Sequence, residues 1–409
     1  MIDVKKIRKD FPMYRNDAKF ASLPLHYLDN AATTFKPYQV IDRMDYYYKD
    51  ITCNAHRGDY ILAHEVDVAY EGAREIVAKF INAKTEEICF TSGDSMGINQ
   101  VAYGLKKLLR PGDEILLSKA EHASNVLPWY NIAKEVGAIV KFIPLNDKDL
   151  VTVKELEEII TNKTKVVSLA SVSNVLGHHL DVKELVKVAH KYGAIYVDDA
   201  AQSIPHVKID VKDLDVDFLL FSGHKMLGPT GIGVMYGKYE LLDKIDPIFY
   251  GGEMNARFNS CGFVSLEEPP LKFEAGTQNI AGAMGLAKAC QYIEEIGYEN
   301  IREHELYLKD LAVKGLLNNG NCVIYNSDID SGIVTFNINN VFAQDAASYL
   351  GSKGVYVRSG QHCAKILPEY LNVPATLRAS FYIYNDEDDV KALVDACKTA
   401  EDFLDVFFS

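Results

Sequence analysis

Cysteine is scarce and scattered: seven in 409 residues (Cys53, Cys89, Cys261, Cys290, Cys322, Cys363 and Cys397). None forms a CxxC pair, and the total is odd. That excludes a disulfide framework as the basis of the fold, offers no zinc-site spacing, and fits reduced thiols in a cytosol. Positive charge is also short, with 43 Lys and Arg against 57 Asp and Glu and a formal charge of −14. The deficit argues against nucleic acid or an anionic membrane as the main partner, since both need basic patches. No apolar run reaches bilayer-spanning length, and the charged start MIDVKKIRKDFPMY lacks the apolar core of a signal peptide. Internal repeats, low-complexity tracts and Pro/Ser-rich linkers are missing as well. A cytoplasmic globular protein without a metal centre is the expectation.

The length favours one large domain and one smaller one. Apolar strand-like runs are predicted at 87–91, 114–118, 139–144, 165–170, 194–197, 218–221 and 233–236, interleaved with amphipathic helices such as 66–81, 123–136 and 182–190. Alternating strands and helices imply α/β architecture with a mainly parallel, seven-stranded sheet covered on both faces. Ligands in such sheets bind beyond the carboxyl ends of the strands. After residue 279 the pattern changes to a long helical stretch over about 280–317, short strands at 322–325 and 332–337, and helices near 344–352 and 387–408. We therefore expect a large domain over 20–285, and a small α+β domain formed by 1–19 and 286–409.

Two strand ends carry chemistry. YVDDAAQS places Asp198, Asp199 and Gln202 after an apolar strand; taken alone, either Asp reads as a helix N-cap. A later strand ends in SGHK, giving Ser222, His224 and Lys225 before a Gly-rich turn; a lone lysine there would read as a solvated loop residue. Together they supply what pyridoxal 5′-phosphate needs: a lysine for the imine, a carboxylate for the ring nitrogen, and small donors for phosphate. Lys225 must be neutral to attack, which calls for a depressed pKa.

SGHKMLGPTGIGV, with LDNAATTFKP near the start, SNVLG at 173–177 and FEAGTQN at 273–279, resembles class V aminotransferase-fold enzymes. More narrowly it resembles the SufS-like (group II) cysteine desulfurases, in order, from about residue 27 to 384. The resemblance implies the type I fold of PLP-dependent transferases. It places His122 over the cofactor ring as a proton-transfer group; the alternative is a hydrogen-bonded histidine at a helix start. Asn174 would lie near the cofactor oxygen and Gln202 on its phenolate side. Ser222 and His224 would bind phosphate, and Arg358 and Arg378 the substrate carboxylate. Thr277 would reach the phosphate of a second subunit, which implies a homodimer.

The motif RSGQHCAK at 358–365 resembles the RxGHHCA loop of that group and marks Cys363 as the nucleophile. Its thiolate would take sulfur from L-cysteine, releasing alanine. His362 could lower the thiol pKa or point away, as sequence neighbours often do. The implied role is sulfur supply for iron–sulfur cluster assembly through a SufU- or SufE-like acceptor. Selenocysteine lyase activity is one alternative, and a cofactor-binding partner protein with impaired turnover is another.

One segment departs from the group. TSGDSMGIN at 91–99 stands where RGTTEGIN is usual. The helix start is kept, so backbone N–H groups still face an anion, and Ser95 supplies a hydroxyl. Asp94, however, repels a phosphate dianion unless it turns away as an N-cap. Weakened phosphate binding and cofactor loss on dialysis are the expected consequences. Ala123, Gln361 and Lys365 also replace residues of the pattern.

Overall fold

The computed structural model describes residues 2–15, 19–20, 22–56, 58–252 and 254–402. A seven-stranded sheet forms from β1 (Ile88–Thr91), β2 (Glu114–Ser118), β3 (Ile139–Ile143), β4 (Thr164–Ala170), β5 (Ile195–Asp199), β6 (Phe218–Ser222) and β7 (Gly233–Gly237). Their spatial order is β1-β7-β6-β5-β4-β2-β3. β7 alone runs antiparallel to its neighbours, so the sheet is mixed and mainly parallel, as the alternating pattern implies.

These strands are buried on both faces, which is why they read as continuous apolar runs. Along them the side chains alternate between two cores. Leu116, Val167, Tyr196, Leu219 and Val234 pack with α2 (Ile61–Phe80), α5 (Val182–Lys191) and α6 (Ile280–Ile296), where α1 is Tyr38–Asp50. Ile115, Leu117, Val197, Leu220 and Met235 face α3 (Asp94–Leu105) and α4 (Leu127–Val136).

The stretch expected to be helical over 280–317 is so, and consists of two helices, α6 and α7 (Tyr298–Asn319). Gly297, at φ +86°, ends one and starts the other, a backbone state that glycine adopts without steric cost. The helix expected from 123 begins as a 3-10 turn at Ala123–Asn125, and α4 proper starts at Leu127 with Pro128 in its first turn. A four-stranded antiparallel sheet, β8 (Cys322–Ile324), β9 (Ile333–Ile338), β10 (Arg358–Gly360) and β11 (Thr376–Ser380), has the order β8-β9-β11-β10. Its core joins Val334, Phe336, Leu377 and Ala379 to Leu308 and Leu316 of α7 and Leu393 of α8 (Glu387–Lys398). The end of the helix expected to 408 lies outside the described residues. Among the described residues, no helix is long and apolar enough to cross a membrane, and no cluster of metal-binding side chains is present.

Candidate active site

The carboxyl ends of β1, β2, β4, β5 and β6 converge on one cavity of about 220 Å³, and the β10–β11 sheet closes it. Lys225, Asp199, Gln202, Ser222, His224, Asn174, Ser95, Asp94, His122, Cys363, Arg358 and Arg378 all line it. Thr277 does not; it is exposed in the turn before α6.

Consider first the end where α3 begins. Gly93 is the N-cap, with no side-chain capping bond. The Asp94 N–H donates to Ser222 Oγ at 2.8 Å, tying the helix start to the end of β6. Gly233 on β7 permits this approach, since a Cβ there would lie 2.5 Å from the Gly93 Cα. Asp94 does not turn away as a cap. It is only 6 % exposed, and its Oδ1 is buried with no partner among the described residues.

Lys225 closes the 3-10 turn Gly223–Lys225 that follows β6. Thr33, Thr34 and Lys36 hold that turn by converging on the His224 carbonyl, with Lys36 Nζ at 2.9 Å. Burial lowers the Lys225 pKa, while Asp199 and Asp94 oppose it. Asp199, at the end of β5, is raised by burial and lowered by Lys225 and by the Ala201 N–H, which it accepts at 3.1 Å. A buried carboxylate so placed favours a cation or N–H opposite it. Gln202 spends one N–H on the Ala31 carbonyl at 2.7 Å.

His122 follows β2. Its Nδ1 accepts the Ser124 N–H at 3.1 Å, so both the capping role and a place in the cavity hold. Burial, then Lys225 and the two arginines, push its pKa down to about 4. With Nδ1 accepting, the neutral ring carries its proton on Nε2. Ser124 Oγ lies 3.0 Å from that Nδ1 and 2.6 Å from Ser95 Oγ.

The opposite end is built on β10 and β11. Arg358 and Arg378 sit directly across from each other in the antiparallel register, an arrangement that is repulsive without a counter-charge. Asp29 supplies it: Oδ1 lies 3.0 Å from Arg378 Nη2, and Oδ2 lies 3.8 Å from Arg358 Nη1. Arg378 Nη1 donates to the Asn174 carbonyl at 2.7 Å. Its Nε is buried with no partner among the described residues.

The loop between the two strands carries Cys363, whose side chain is exposed. Its carbonyl accepts the Ala123 N–H at 2.7 Å, and Asn174 Nδ2 donates to the His362 carbonyl at 2.8 Å. His362 and Cys363 are both left-handed, at φ +51° and +57°. His362 does not serve the thiol. Its Nε2 lies 2.8 Å from Thr376 Oγ1, and burial pushes its pKa down to about 3, leaving no charge to stabilise a thiolate.

The residues present fit pyridoxal 5′-phosphate. One lysine with depressed basicity faces one buried carboxylate. A helix start with nearby hydroxyls forms one end, and two arginines with their counter-ion form the other. Sequence reasoning missed Asp29 and Glu274. Both lie in motifs quoted for their likeness, LDNAATT and FEAGT. Glu274 accepts from Arg74 at 2.6 and 2.8 Å, Tyr70 at 2.8 Å and the Phe90 N–H at 2.8 Å, fixing β1 behind the α3 start.

The aminotransferase class-V family model matches residues 26–393. A probable cysteine desulfurase of Halalkalibacterium halodurans is 45% identical over 99% of this chain and 100% of its own. One of Staphylococcus epidermidis is 44% identical over 99% and 98%. Among solved structures, the cysteine desulfurase CsdA (S-sulfonic acid) of Escherichia coli matches at TM-score 0.91 and 36% identity, covering 98% of this chain and 99% of that one. An apo cysteine desulfurase of Thermococcus onnurineus matches at 0.91 and 38%, covering 97% and 98%.

Proposed function

This chain belongs to the class-V aminotransferase family, and on that premise we propose that it is a pyridoxal 5′-phosphate-dependent L-cysteine desulfurase that collects sulfur on Cys363. The observation that carries the reading is an exposed thiol in the wall of the cavity that holds Lys225 and Asp199. Transamination on the same lysine needs no thiol.

When bound, pyridoxal phosphate supplies an electron-withdrawing ring that weakens bonds around the substrate's α- and β-carbons. Lys225 would hold it covalently and Asp199 would hold its ring nitrogen. Gln202 and Asn174 would face its oxygen, and Ser95, Asp94, Ser222 and His224 its phosphate. Arg378, kept in place by Asp29 and Asn174, would bind the substrate carboxylate; Arg358 adds charge at the rim. His122, neutral above about pH 4, and Lys225, whose basicity burial depresses, move protons to and from the substrate carbons. Cys363 Sγ attacks the substrate sulfur as a thiolate. An S–S bond forms, the C–S bond breaks, and the carbon fragment takes up a proton and leaves as L-alanine. Cys363 is left as a persulfide. L-Selenocysteine offers the same contacts and a better leaving atom.

Following the SufS-like resemblance, we assign the chain to cytoplasmic iron–sulfur cluster assembly, with a SufU- or SufE-type protein as sulfur acceptor. Exposed Thr277 reaches the phosphate of a second copy in a homodimer. The test mixes cofactor-loaded protein with L-cysteine and a thiol reductant and measures alanine and sulfide together. Equal yields, abolished in Cys363→Ser, are expected. Alanine formation that survives the substitution would refute the role of Cys363. Neither product, despite bound cofactor and added acceptor, would favour the partner-protein alternative.

A further inference from the structure

Ser124 stands in the 3-10 turn Ala123–Asn125 after β2 and lines the cavity beside His122. It meets the imidazole twice: its N–H donates to Nδ1 at 3.1 Å, and its Oγ lies 3.0 Å from the same nitrogen. The hydroxyl is also 2.6 Å from Ser95 Oγ in the first turn of α3, a distance at which one of the two hydroxyls donates to the other. Ser95 is tied into that helix, its carbonyl accepting Asn99 Nδ2 at 2.7 Å. A line of three polar atoms, His122 Nδ1, Ser124 Oγ and Ser95 Oγ, thus joins the turn after β2 to the start of α3.

With Nδ1 engaged by Ser124, Nε2 is the nitrogen left for the substrate. To take a proton there, Nε2 has to be bare, with the hydrogen of the neutral ring on Nδ1. The Ser124 N–H opposes that state, because a backbone amide only donates. The Ser124 hydroxyl differs: it has lone pairs as well as a hydrogen, and it turns from donor to acceptor by rotating about its C–O bond. Its hydrogen then needs another acceptor, and Ser95 Oγ is within reach. Burial first, then Lys225, Arg378 and Arg358, oppose a charge on the ring. An Nδ1–H left without an acceptor in these surroundings would be an unmade hydrogen bond, which is costly.

We propose that Ser124 is a positioning residue for His122, whose hydroxyl, backed by Ser95, accepts Nδ1–H and so lets the ring present a bare Nε2 to the substrate. The inference rests on the proton-transfer role given to His122 above. In the resting ring the hydrogen is on Nε2, and Nδ1 accepts from Ser124. In the working ring Nδ1–H donates to Ser124 Oγ, Ser124 donates to Ser95 Oγ, and the hydrogen of Ser95 is free for a further acceptor. Nε2 takes a proton from the substrate carbon and returns one to it, while the ring keeps its place. The ring exchanges its own hydrogen between the two nitrogens through solvent. Within the serine pair no O–H bond breaks; the hydroxyls only rotate, a fast motion beside turnover. Ser124 touches neither cofactor nor substrate in this scheme and acts only through His122.

The test compares wild type with Ser124→Ala, which keeps the backbone N–H and loses the hydroxyl, and with Ser124→Thr, which restores a hydroxyl. Alanine release from L-cysteine is measured on cofactor-loaded protein. In Ser124→Ala, kcat should fall roughly tenfold, a part of the about 10²–10⁴-fold that a positioned acid–base group contributes, with KM unchanged and with recovery in Ser124→Thr. Nitrogen NMR of the imidazole, assigned by its loss in His122→Gln, is recorded with and without cofactor. The ring shifts should move in Ser124→Ala to those of the pure Nε2–H tautomer, and return in Ser124→Thr. An unchanged kcat in Ser124→Ala overturns the proposal. So do equal losses in both variants, or a larger share of Nδ1–H in Ser124→Ala. Absence of alanine from every protein, wild type included, would instead remove the desulfurase reading, and the NMR comparison would still decide on Ser124.

Discussion

The two ends of the cavity settle their charges differently. At the end built on β10 and β11, two arginines placed against each other by strand register are reconciled inside the protein by Asp29. The Ala123 N–H and the Asn174 side chain, donating to loop carbonyls, fix the intervening loop. At the end where α3 begins the strength lies behind the site, in the buried Arg74–Glu274 pair that grips β1. Asp94, which lines the cavity there, keeps a buried oxygen without a partner among the described residues. One end is preorganised by opposite charges; the other keeps a buried carboxyl oxygen unsatisfied among the described residues.

The contrast is broken most forcefully at Glu274. Glu274→Gln removes one of the two carboxylates paired with an Arg74 side chain only 1% exposed, the other being Glu71 at 3.0 Å, and breaking such a buried pair should destabilise the fold by about 3 kcal/mol. A urea titration should show a lower midpoint with unchanged slope. A loss under about 1 kcal/mol would mean that β1 and the start of α3 are not anchored through this pair. Asp29→Asn should act on binding. Arg358 and Arg378 then repel without compensation, and KM for L-cysteine should rise roughly tenfold, the lower end of what a hydrogen bond to a charged group contributes. A falling KM would show instead that Asp29 competes with the substrate carboxylate. The smallest effect is at His122. A nitrogen NMR titration should find its ring neutral down to about pH 4; protonation near the ordinary histidine value would remove burial as the dominant influence.

Legibility in the sequence follows the same division. The strands whose ends carry Asp199, Ser222 and Lys225 were readable, because parallel strands buried on both faces are unbroken apolar runs; 114–118 matches Glu114–Ser118 residue for residue. The β10–β11 pair was not predicted as strands. β11 carries Arg378 amid Thr and Ser, and its burial depends on partners far along the chain. Asp29 was hidden for the same reason, since its arginine partner lies 349 positions away. A single helical period across 280–317 masked the break at Gly297. His362 could be counted beside Cys363, but only the fold shows its ring turned to Thr376.

The most direct test is mass spectrometry of the protein after brief mixing with L-cysteine in the absence of reductant. One added sulfur atom on the peptide bearing Cys363, none on Cys53, Cys261 or Cys322, and one alanine released per sulfur retained are predicted. Alanine released while Cys363 stays unmodified, or sulfur found first on another thiol, would contradict the account.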